Sequence, residues 1–231
     1  MQLFITDQYT IQNNTITIRD ERVLYQCTKV LRYKSGDQIL LQDKGVRYTI
    51  TLQSRDKTSL QGMIDATQAQ PQNIEEKTSL IIAMTNKRDK MELICQKATE
   101  IGIHNIIIRK AKRSVIQVIS DAKVERLQTI CLEAAEQSFN RNAPSISICN
   151  KIQDLPQSYV AYQEGADHET ITQNSKLITH NLLVWPEWWF DPSELSYFSE
   201  QQFPMVCFGE TVLRTETAAI IGAWWLKNTL R

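Results

Sequence analysis

Residues 208–217 read FGETVLRTET and place a glycine, an arginine and two glutamates directly before an apolar run. The apolar residues before Gly209 indicate the end of a strand, and those after Thr217 indicate the start of a helix. Such a junction exposes backbone amides, and ligands of open α/β sheets bind where strands end. The segment therefore predicts a ligand-binding loop, with a plain strand-to-helix connection as the alternative.

Two other segments could carry chemistry on helices. Residues 96–102 (QKATEIG) place Lys97 and Glu100 three positions apart, on the polar side of an amphipathic helix. Residues 133–138 (EAAEQS) combine small residues, which allow close packing, with Glu136 and Gln137, which project elsewhere. A solvated helix face is the alternative interpretation of both segments.

The charges are balanced overall and unevenly distributed. The chain of 231 residues has 26 basic and 26 acidic side chains, but residues 1–120 carry +6 and residues 121–231 carry −6. The basic excess is concentrated at residues 87–90 and 109–113. Such a cluster suits a nucleic-acid partner. The alternative interpretation is that these basic residues are simply solvated at the ends of strands and helices.

Composition excludes several classes of protein. The 7 glycines are too far apart for a dinucleotide loop, a phosphate loop or a nucleophile elbow. The 5 cysteines contain no C-x-x-C and the 3 histidines contain no helical pair, so no metal site is expected. The first residues lack the pattern of a signal peptide, and the apolar run 218–226 is too short to span a bilayer. We therefore expect a cytoplasmic protein with no membrane partner.

The order of predicted elements indicates an α/β fold. Residues 38–42 and 48–52 flank a turn at Asp43-Lys44-Gly45 and predict a hairpin, and the polar residues 65–77 predict a linker. After it, strands are predicted near residues 79–84, 105–108, 145–149, 181–185 and 205–208, and helices opening at Asp89, Asp121, Asp191 and Thr215. This alternation predicts a mostly parallel sheet covered by helices.

Taken together, these segments resemble one family, the bacterial 16S ribosomal RNA uracil-N3 methyltransferases (small-subunit methyltransferase E) of the SPOUT superfamily. The matching stretches are residues 90–92, 96–102, 113–115, 126–128, 133–138 with Pro144, and 212–219, together with Val30-Leu-Arg32 and Gly36-Asp37 in the N-terminal part. They occur in the family's order and span nearly the whole chain.

The resemblance implies an α/β fold with a trefoil knot. It implies a PUA-like small β-barrel for RNA binding in residues 1–72 and a knotted SPOUT methyltransferase domain in residues 73–231. It further implies a homodimer that uses S-adenosyl-L-methionine to methylate N3 of a uridine in 16S ribosomal RNA of the small ribosomal subunit.

The resemblance also suggests roles for individual residues. Arg214 is expected to hold the target base or its developing anion, and Glu216 to orient that arginine. The residues expected at the cofactor are Pro186, Glu187, Trp188, Trp189, Phe208, Gly209, Val212, Leu213 and Thr217. The residues expected to contact RNA are Arg32, Lys97, Lys112, Arg113, Glu136 and Gln137.

One loop departs from the family pattern. Where the family reads Gly-Pro-Glu-Gly-Gly, residues 185–189 read WPEWW, and we call this segment the tryptophan loop. Glycine permits a positive φ and a close backbone approach that tryptophan does not give freely. Two functions therefore stay open: an active rRNA methyltransferase with an unusual cofactor loop, and a catalytically silent relative that binds RNA or a partner without cofactor.

Overall fold

The structure, a computed structural model, describes residues 1–70, 77–111, 119–162, 169–170 and 179–229. The chain forms two compact units. Unit 1 comprises Met1–Ile74 and Ala135–Asn142, and unit 2 comprises Glu75–Ala134 and Ala143–Arg231.

Unit 1 is built on a six-stranded sheet in the order β1-β4-β5-β6-β3-β2. Its strands are β1 (Gln2–Ile5), β2 (Tyr9–Gln12), β3 (Thr15–Ile18), β4 (Gln38–Asp43), β5 (Val46–Arg55) and β6 (Leu60–Ala69). β1 runs parallel to β4, and the other pairs are antiparallel. Helix α1 (Glu21–Tyr25) and the π-helical turn Gln26–Val30 lie between β3 and β4. The apolar core includes Phe4, Ile16, Val23, Ile39, Leu41 and Ile50.

The predicted hairpin is confirmed, and the predicted linker is wrong over its first residues. Asp43 pairs with Val46, and Lys44 and Gly45 between them have φ values of 42° and 79°, as a two-residue turn with positive φ at both positions requires. The polar residues from Asp65 to Ala69 continue β6 instead of opening a linker. Their side chains are exposed, so the backbone pairing to β5 stabilises this part of the strand without an apolar face.

Unit 2 contains a parallel sheet with helices, so the predicted α/β class is confirmed. Its seven strands lie in the order β11-β13-β10-β12-β7-β8-β9, and every pair is parallel. The strands are β7 (Ser79–Ala83), β8 (Asn105–Arg109), β9 (Ser145–Cys149), β10 (Tyr159–Ala161), β11 (Glu169–Thr170), β12 (Asn181–Leu183) and β13 (Met205–Cys207). The helices are α2 (Arg88–Ile101), α3 (Asp121–Gln137), whose last residues belong to unit 1, α4 (Pro192–Glu200) and α5 (Thr215–Thr229). In the described part of the chain, none of the helices is long and apolar enough to cross a membrane.

The helix starts agree with the predicted caps in one case and differ in another. At α4, Asp191 accepts from the Ser193 amide while Glu194 accepts from the Asp191 amide, so the predicted capping box is confirmed. At α2, the N-cap is Lys87 rather than the predicted Asp89, which lies in the first turn. A carboxylate in the first turn still interacts favourably with the helix dipole, so the residue type fits even though its position differs.

Helix α5 approaches the sheet closely at Gly222. A Cβ atom there would lie 2.3 Å from Cδ2 of Leu182 on β12 and 2.9 Å from Cζ of Phe208. Leu182 is fully buried, so its side chain cannot move into solvent. The absence of a side chain at this position therefore lets α5 cover the central strands of the sheet.

We predict that Gly222→Ala destabilises the protein by about 1–3 kcal/mol, as expected for overpacking. On a helix with open space, the same change would stabilise by up to about 1 kcal/mol, so the sign of the effect tests the packing. Equilibrium urea unfolding measures it. Leu182→Val removes the opposing methyl group. The free energy of unfolding of the double variant should therefore fall by less than the sum of the losses in the two single variants. Additive losses would contradict the predicted clash.

Candidate active site

The candidate site lies between two neighbouring parallel strands of the unit 2 sheet, from which the chain continues toward opposite edges of the sheet. From β7 the chain crosses to β8 on one side, and from β12 it crosses to β13 on the other, although β7 and β12 are adjacent. Ligands of open α/β sheets bind at such a switch point, outside the carboxyl ends of the strands. The loop after β7 and the tryptophan loop after β12 both begin at this edge.

Glu187 of the tryptophan loop joins these two loops. Its Oε2 accepts a hydrogen bond from the Asn86 amide at 2.8 Å, and its Oε1 accepts from Nζ of Lys90 at 3.1 Å. Lys90 lies in the first turn of α2, so one carboxylate ties the tryptophan loop to both the β7–α2 loop and the helix. Glu187 thus anchors the tryptophan loop.

Lys90 also pairs with a second carboxylate. Its Nζ lies 3.3 Å from Oε2 of Glu216 in the first turn of α5, and we call Lys90, Glu187 and Glu216 the Lys90 cluster. The hydrogen bond to Glu187 and the ion pair with Glu216 raise the pKa of Lys90, so the ammonium form is favoured. Two carboxylates and one ammonium leave the cluster with a net charge of −1 when all three are ionised. Such a cluster attracts a cationic ligand.

The tryptophan loop is a tight turn with strained backbone. The Trp189 amide donates to the Pro186 carbonyl at 3.0 Å, and Trp189 has a φ of 64°, which is unfavourable for an aromatic residue. Its indole stacks on Trp185 with ring centroids 5.6 Å apart and contacts Tyr162 edge-on. Trp185 is only 3% exposed, whereas Trp188 is 64% exposed. Aromatic packing therefore holds the left-handed residue in place.

The loop before α5 presents its backbone to open space. Gly209 has a φ of 123°, and a Cβ atom there would meet nothing within 4 Å. Val212 and Arg214 are exposed, while Leu213 and Thr217 are half-buried. Half-buried Phe208 packs edge-on against Trp225 of α5, so the strand end is fixed while the residues after it face solvent.

Glu216 contacts Lys90 instead of Arg214, which corrects the predicted orienting role. The carboxylate is held in the Lys90 cluster, and among the described residues no side chain pairs with Arg214. The Arg214 carbonyl accepts from the Ala218 amide at 2.9 Å, so its backbone begins α5. Its guanidinium is left available for a ligand.

The residues predicted to contact RNA fall into three groups. Arg32 and Gln137 are exposed in unit 1, and Lys97 in unit 2 is half-buried and pairs with Glu100 at 2.9 Å. Lys112 and Arg113 lie outside the described residues. Glu136 is buried, which is at odds with the prediction that it contacts RNA. Its Oε1 accepts from the Ile5 amide at 2.8 Å, and Arg22 binds the same carboxylate at 2.9 Å. Both oxygens are therefore used to hold unit 1 together.

Sequence reasoning did not assign Lys90, Asn86 or Arg109 to the site. The guanidinium of Arg109, at the end of β8, pairs with Glu194 at 2.8 Å with both side chains at most 5% exposed, and it lies 5.3 Å from the Phe190 ring. The capping pattern includes Glu194, and the matching stretch 90–92 includes Lys90. Neither pattern shows which residue the side chain contacts. Asn86 acts through its backbone amide, which leaves no signal in the sequence.

Comparison with known proteins identifies the family. The sequence profile described as an RNA methyltransferase domain matches residues 72–227. This chain belongs to that family. Ribosomal RNA small subunit methyltransferase E 2 of Borreliella burgdorferi is 30% identical to this family member over 100% of the chain and 98% of the relative. Ribosomal RNA small subunit methyltransferase E of Bacillus subtilis is 29% identical over 94% of the chain and 91% of the relative. These relatives confirm the predicted resemblance to small-subunit methyltransferase E.

A solved structure has the same fold as this RNA methyltransferase family member. The ribosomal RNA small subunit methyltransferase E of Neisseria gonorrhoeae, solved bound to S-adenosyl methionine, superimposes with a TM-score of 0.79. The match covers 96% of this chain and 95% of the other at 22% identity. Among the described residues of this family member, no group of three histidines, cysteines or acidic residues could hold a metal ion.

We predict that the three indoles of the tryptophan loop differ in their contribution to stability. Trp185→Gly should destabilise most, because replacing a buried indole by a small residue costs about 3–5 kcal/mol. Trp188→Gly should change the free energy of unfolding by no more than about 0.5 kcal/mol, since its side chain is exposed.

The loss of stability caused by Trp189→Gly should be intermediate between those of the other two variants. Trp189→Gly loses a stacked pair, worth about 0.5–1.5 kcal/mol beyond its buried area, and it relieves left-handed strain of about 1–2 kcal/mol. Urea unfolding of the three variants measures the order. Equal losses, or the largest loss at Trp188, would show that the loop packs differently.

Proposed function

We propose that this chain is an S-adenosyl-L-methionine-dependent methyltransferase that methylates N3 of a uridine in 16S ribosomal RNA. The observation that carries the proposal is the meeting of the tryptophan loop, the start of α2 and the start of α5 in the Lys90 cluster. The starts of α2 and α5 match the family motifs, and the tryptophan loop keeps the Pro-Glu pair of the family's cofactor loop. The three segments meet at the switch point, where a parallel sheet binds its ligand.

The residues of this site fit the cofactor in charge and shape. S-adenosyl-L-methionine carries a positive sulfonium, and the Lys90 cluster has one more carboxylate than ammonium groups. The backbone at Gly209 faces open space, so a ligand can approach it closely. The side chains and backbone proposed to hold the cofactor are those of Pro186, Glu187, Trp188, Trp189, Phe208, Gly209, Val212, Leu213 and Thr217. When bound, the cofactor supplies an electrophilic methyl group.

The chain's own residues must position the uracil and stabilise its charge. N3 of uracil is protonated near neutral pH and loses its proton before or during methylation, which leaves negative charge on the ring. Arg214 is exposed and lies two residues before Glu216 of the Lys90 cluster, and its guanidinium has donors suited to the carbonyl oxygens of that anion. Glu216 holds Lys90 and thereby fixes the start of α5, so we assign it a positioning role.

The remaining family features complete the proposal. We propose a PUA-like barrel in residues 1–72, a trefoil knot in residues 73–231, and RNA contacts by Arg32, Lys97, Lys112, Arg113 and Gln137. We also propose a homodimer, supported by the apolar side chains that α5 leaves exposed, Ile221 at 40% and Trp224 at 59%.

The second candidate function is a silent relative that binds RNA or a partner without cofactor. The tryptophan loop favours it, because Trp189 adopts the left-handed conformation where the family has glycine. Three indoles also occupy volume that glycines would leave empty. The preserved LRTET segment at residues 213–217 favours the active enzyme, since it has no evident use without a ligand.

Calorimetric titration with S-adenosyl-L-methionine separates the two functions. An active enzyme should bind the cofactor at micromolar concentration and convert a uridine of small-subunit RNA to 3-methyluridine, detected by mass spectrometry of the digested RNA. The triple variant with glycine at positions 185, 188 and 189 is the comparison. Binding by that variant alone would favour the silent relative, and no binding by either protein would contradict the proposed function.

We predict that Arg214→Ala lowers turnover by at least about 10²-fold, as expected for losing one stabilising group in a site. The fold should be retained, because Arg214 is exposed and contributes its carbonyl to α5. Methyl transfer to RNA with tritiated cofactor measures the effect, and cofactor titration checks binding. Arg19→Ala, an exposed arginine of unit 1, is the matched control. Full turnover of Arg214→Ala would end its assigned role.

A further inference from the structure

Unit 1 contains a cavity of its own. Its volume is about 320 Å³, which lies in the range of about 300–1,000 Å³ typical of small-molecule sites. It is lined by Cys27, Thr28, Tyr33, Lys34, Ser35, Leu52, Gln53, Ser54, Arg55 and Leu60. We call it the unit 1 cavity.

One wall of the unit 1 cavity is made by an irregular helical segment. The Leu31 amide donates to the Gln26 carbonyl at 2.8 Å, five residues back, which makes the turn π-helical. Arg32 then has a φ of 55°, and the Tyr33 amide donates a hydrogen bond to the Cys27 carbonyl at 2.8 Å. π-Helical turns and left-handed non-glycine residues are both uncommon and are enriched at functional sites.

The opposite wall contains a β-bulge. Leu52 pairs with Gly62 and Ser54 pairs with Gln61, so Gln53 is an extra residue in β5 with no partner on β6. Bulges redirect side chains and are frequent beside binding sites. Three local departures from regular structure therefore border the same cavity.

The lining of the unit 1 cavity includes cationic side chains. Of the described residues that line it, Lys34 and Arg55 are charged and none is acidic. The neighbouring carboxylates are hydrogen-bonded within their own turns, Asp37 to the Lys34 amide and Asp56 to Thr58 and Ser59. Burial raises the pKa of the Cys27 thiol to about 12, so this wall stays neutral at physiological pH.

The lining combines a ring and apolar side chains with hydroxyl groups. Tyr33, Leu52 and Leu60 supply flat or apolar surface, and Thr28, Ser35 and Ser54 supply hydroxyls. A nucleobase needs both, since its faces stack on apolar groups and its edges form hydrogen bonds. A phosphate attached to it would meet the two cationic side chains at the rim.

We propose that the unit 1 cavity binds one nucleotide of a single-stranded RNA segment, with the base inside and the phosphate at Lys34 and Arg55. This inference rests on the proposed function, because it makes the cavity a second contact for the RNA substrate. It gives unit 1 a defined site instead of a general basic surface.

The test measures RNA binding by the full chain, without methyl transfer. A fluorescein-labelled single-stranded oligoribonucleotide is titrated by anisotropy at several salt concentrations, against Lys34→Gln, Arg55→Gln and the double variant. Lys57→Gln removes the same charge from the exposed turn after β5, outside the cavity, and is the control. Ser35→Trp fills the cavity, and Gln12→Trp places the same bulk on the exposed end of β2.

We expect the double variant to reduce the slope of log K against log salt by about 0.7, since Lys34 and Arg55 contact one phosphate and each phosphate contact on a single strand contributes about 0.7. Ser35→Trp should weaken binding while Gln12→Trp does not. RNA containing 4-thiouridine should crosslink within residues 27–35 or 52–60. Affinity and slope equal to those of the Lys57→Gln control, or crosslinks only elsewhere, would overturn the proposal.

Two further outcomes separate the possible errors. If uridine monophosphate displaces the RNA at a concentration similar to the RNA's own Kd, the ligand is a free nucleotide and the RNA assignment is wrong. If these RNA effects appear in a chain that binds no S-adenosyl-L-methionine, the proposed function fails and this inference stands. Normal 3-methyluridine formation with unaltered binding by the cavity variants would refute this inference alone.

Discussion

The shared ammonium group of Lys90 is the interaction on which the candidate site depends. It brings Glu187 and Glu216 to one point, although these residues follow different strands. Without the lysine, the two carboxylates would face each other with no cation between them, and like charges at short distance repel each other. The ammonium therefore fixes the positions of the two loops, and the two carboxylates that it holds together give the cluster its excess of negative groups.

A second ion pair stabilises the residues that follow the tryptophan loop. Arg109 and Glu194 are almost completely buried, and Glu194 also caps α4 through the Asp191 amide. Removing one partner of such a pair leaves a buried charge, which typically costs about 3–5 kcal/mol. Phe190 lies against the Arg109 guanidinium directly after the tryptophan loop. The loop is thus held at Glu187 and again at the residues that follow it.

Much of the architecture could be predicted because it depends on local patterns. The apolar run at β7, the Lys44-Gly45 turn and the capping box at Asp191 each reflect the conformational preferences of a few neighbouring residues. The extension of β6 from Asp65 to Ala69 could not be predicted, because its stability comes from backbone pairing with β5 and not from its own side chains. The burial of Glu136 was missed for a related reason. Its partners, Arg22 and the Ile5 amide, lie more than a hundred residues away, and a single sequence does not show such pairing.

The parallel order of the unit 2 sheet has a consequence for the synthesis of this protein. Lys90 and Glu187 are 97 residues apart, and Glu216 comes later still. A nascent chain emerging from the ribosome can form β7, α2 and β8 early, but it exposes an unpaired strand edge and an unneutralised lysine until β12 is made. The site is among the last features to assemble, so a prematurely ended chain would lack it.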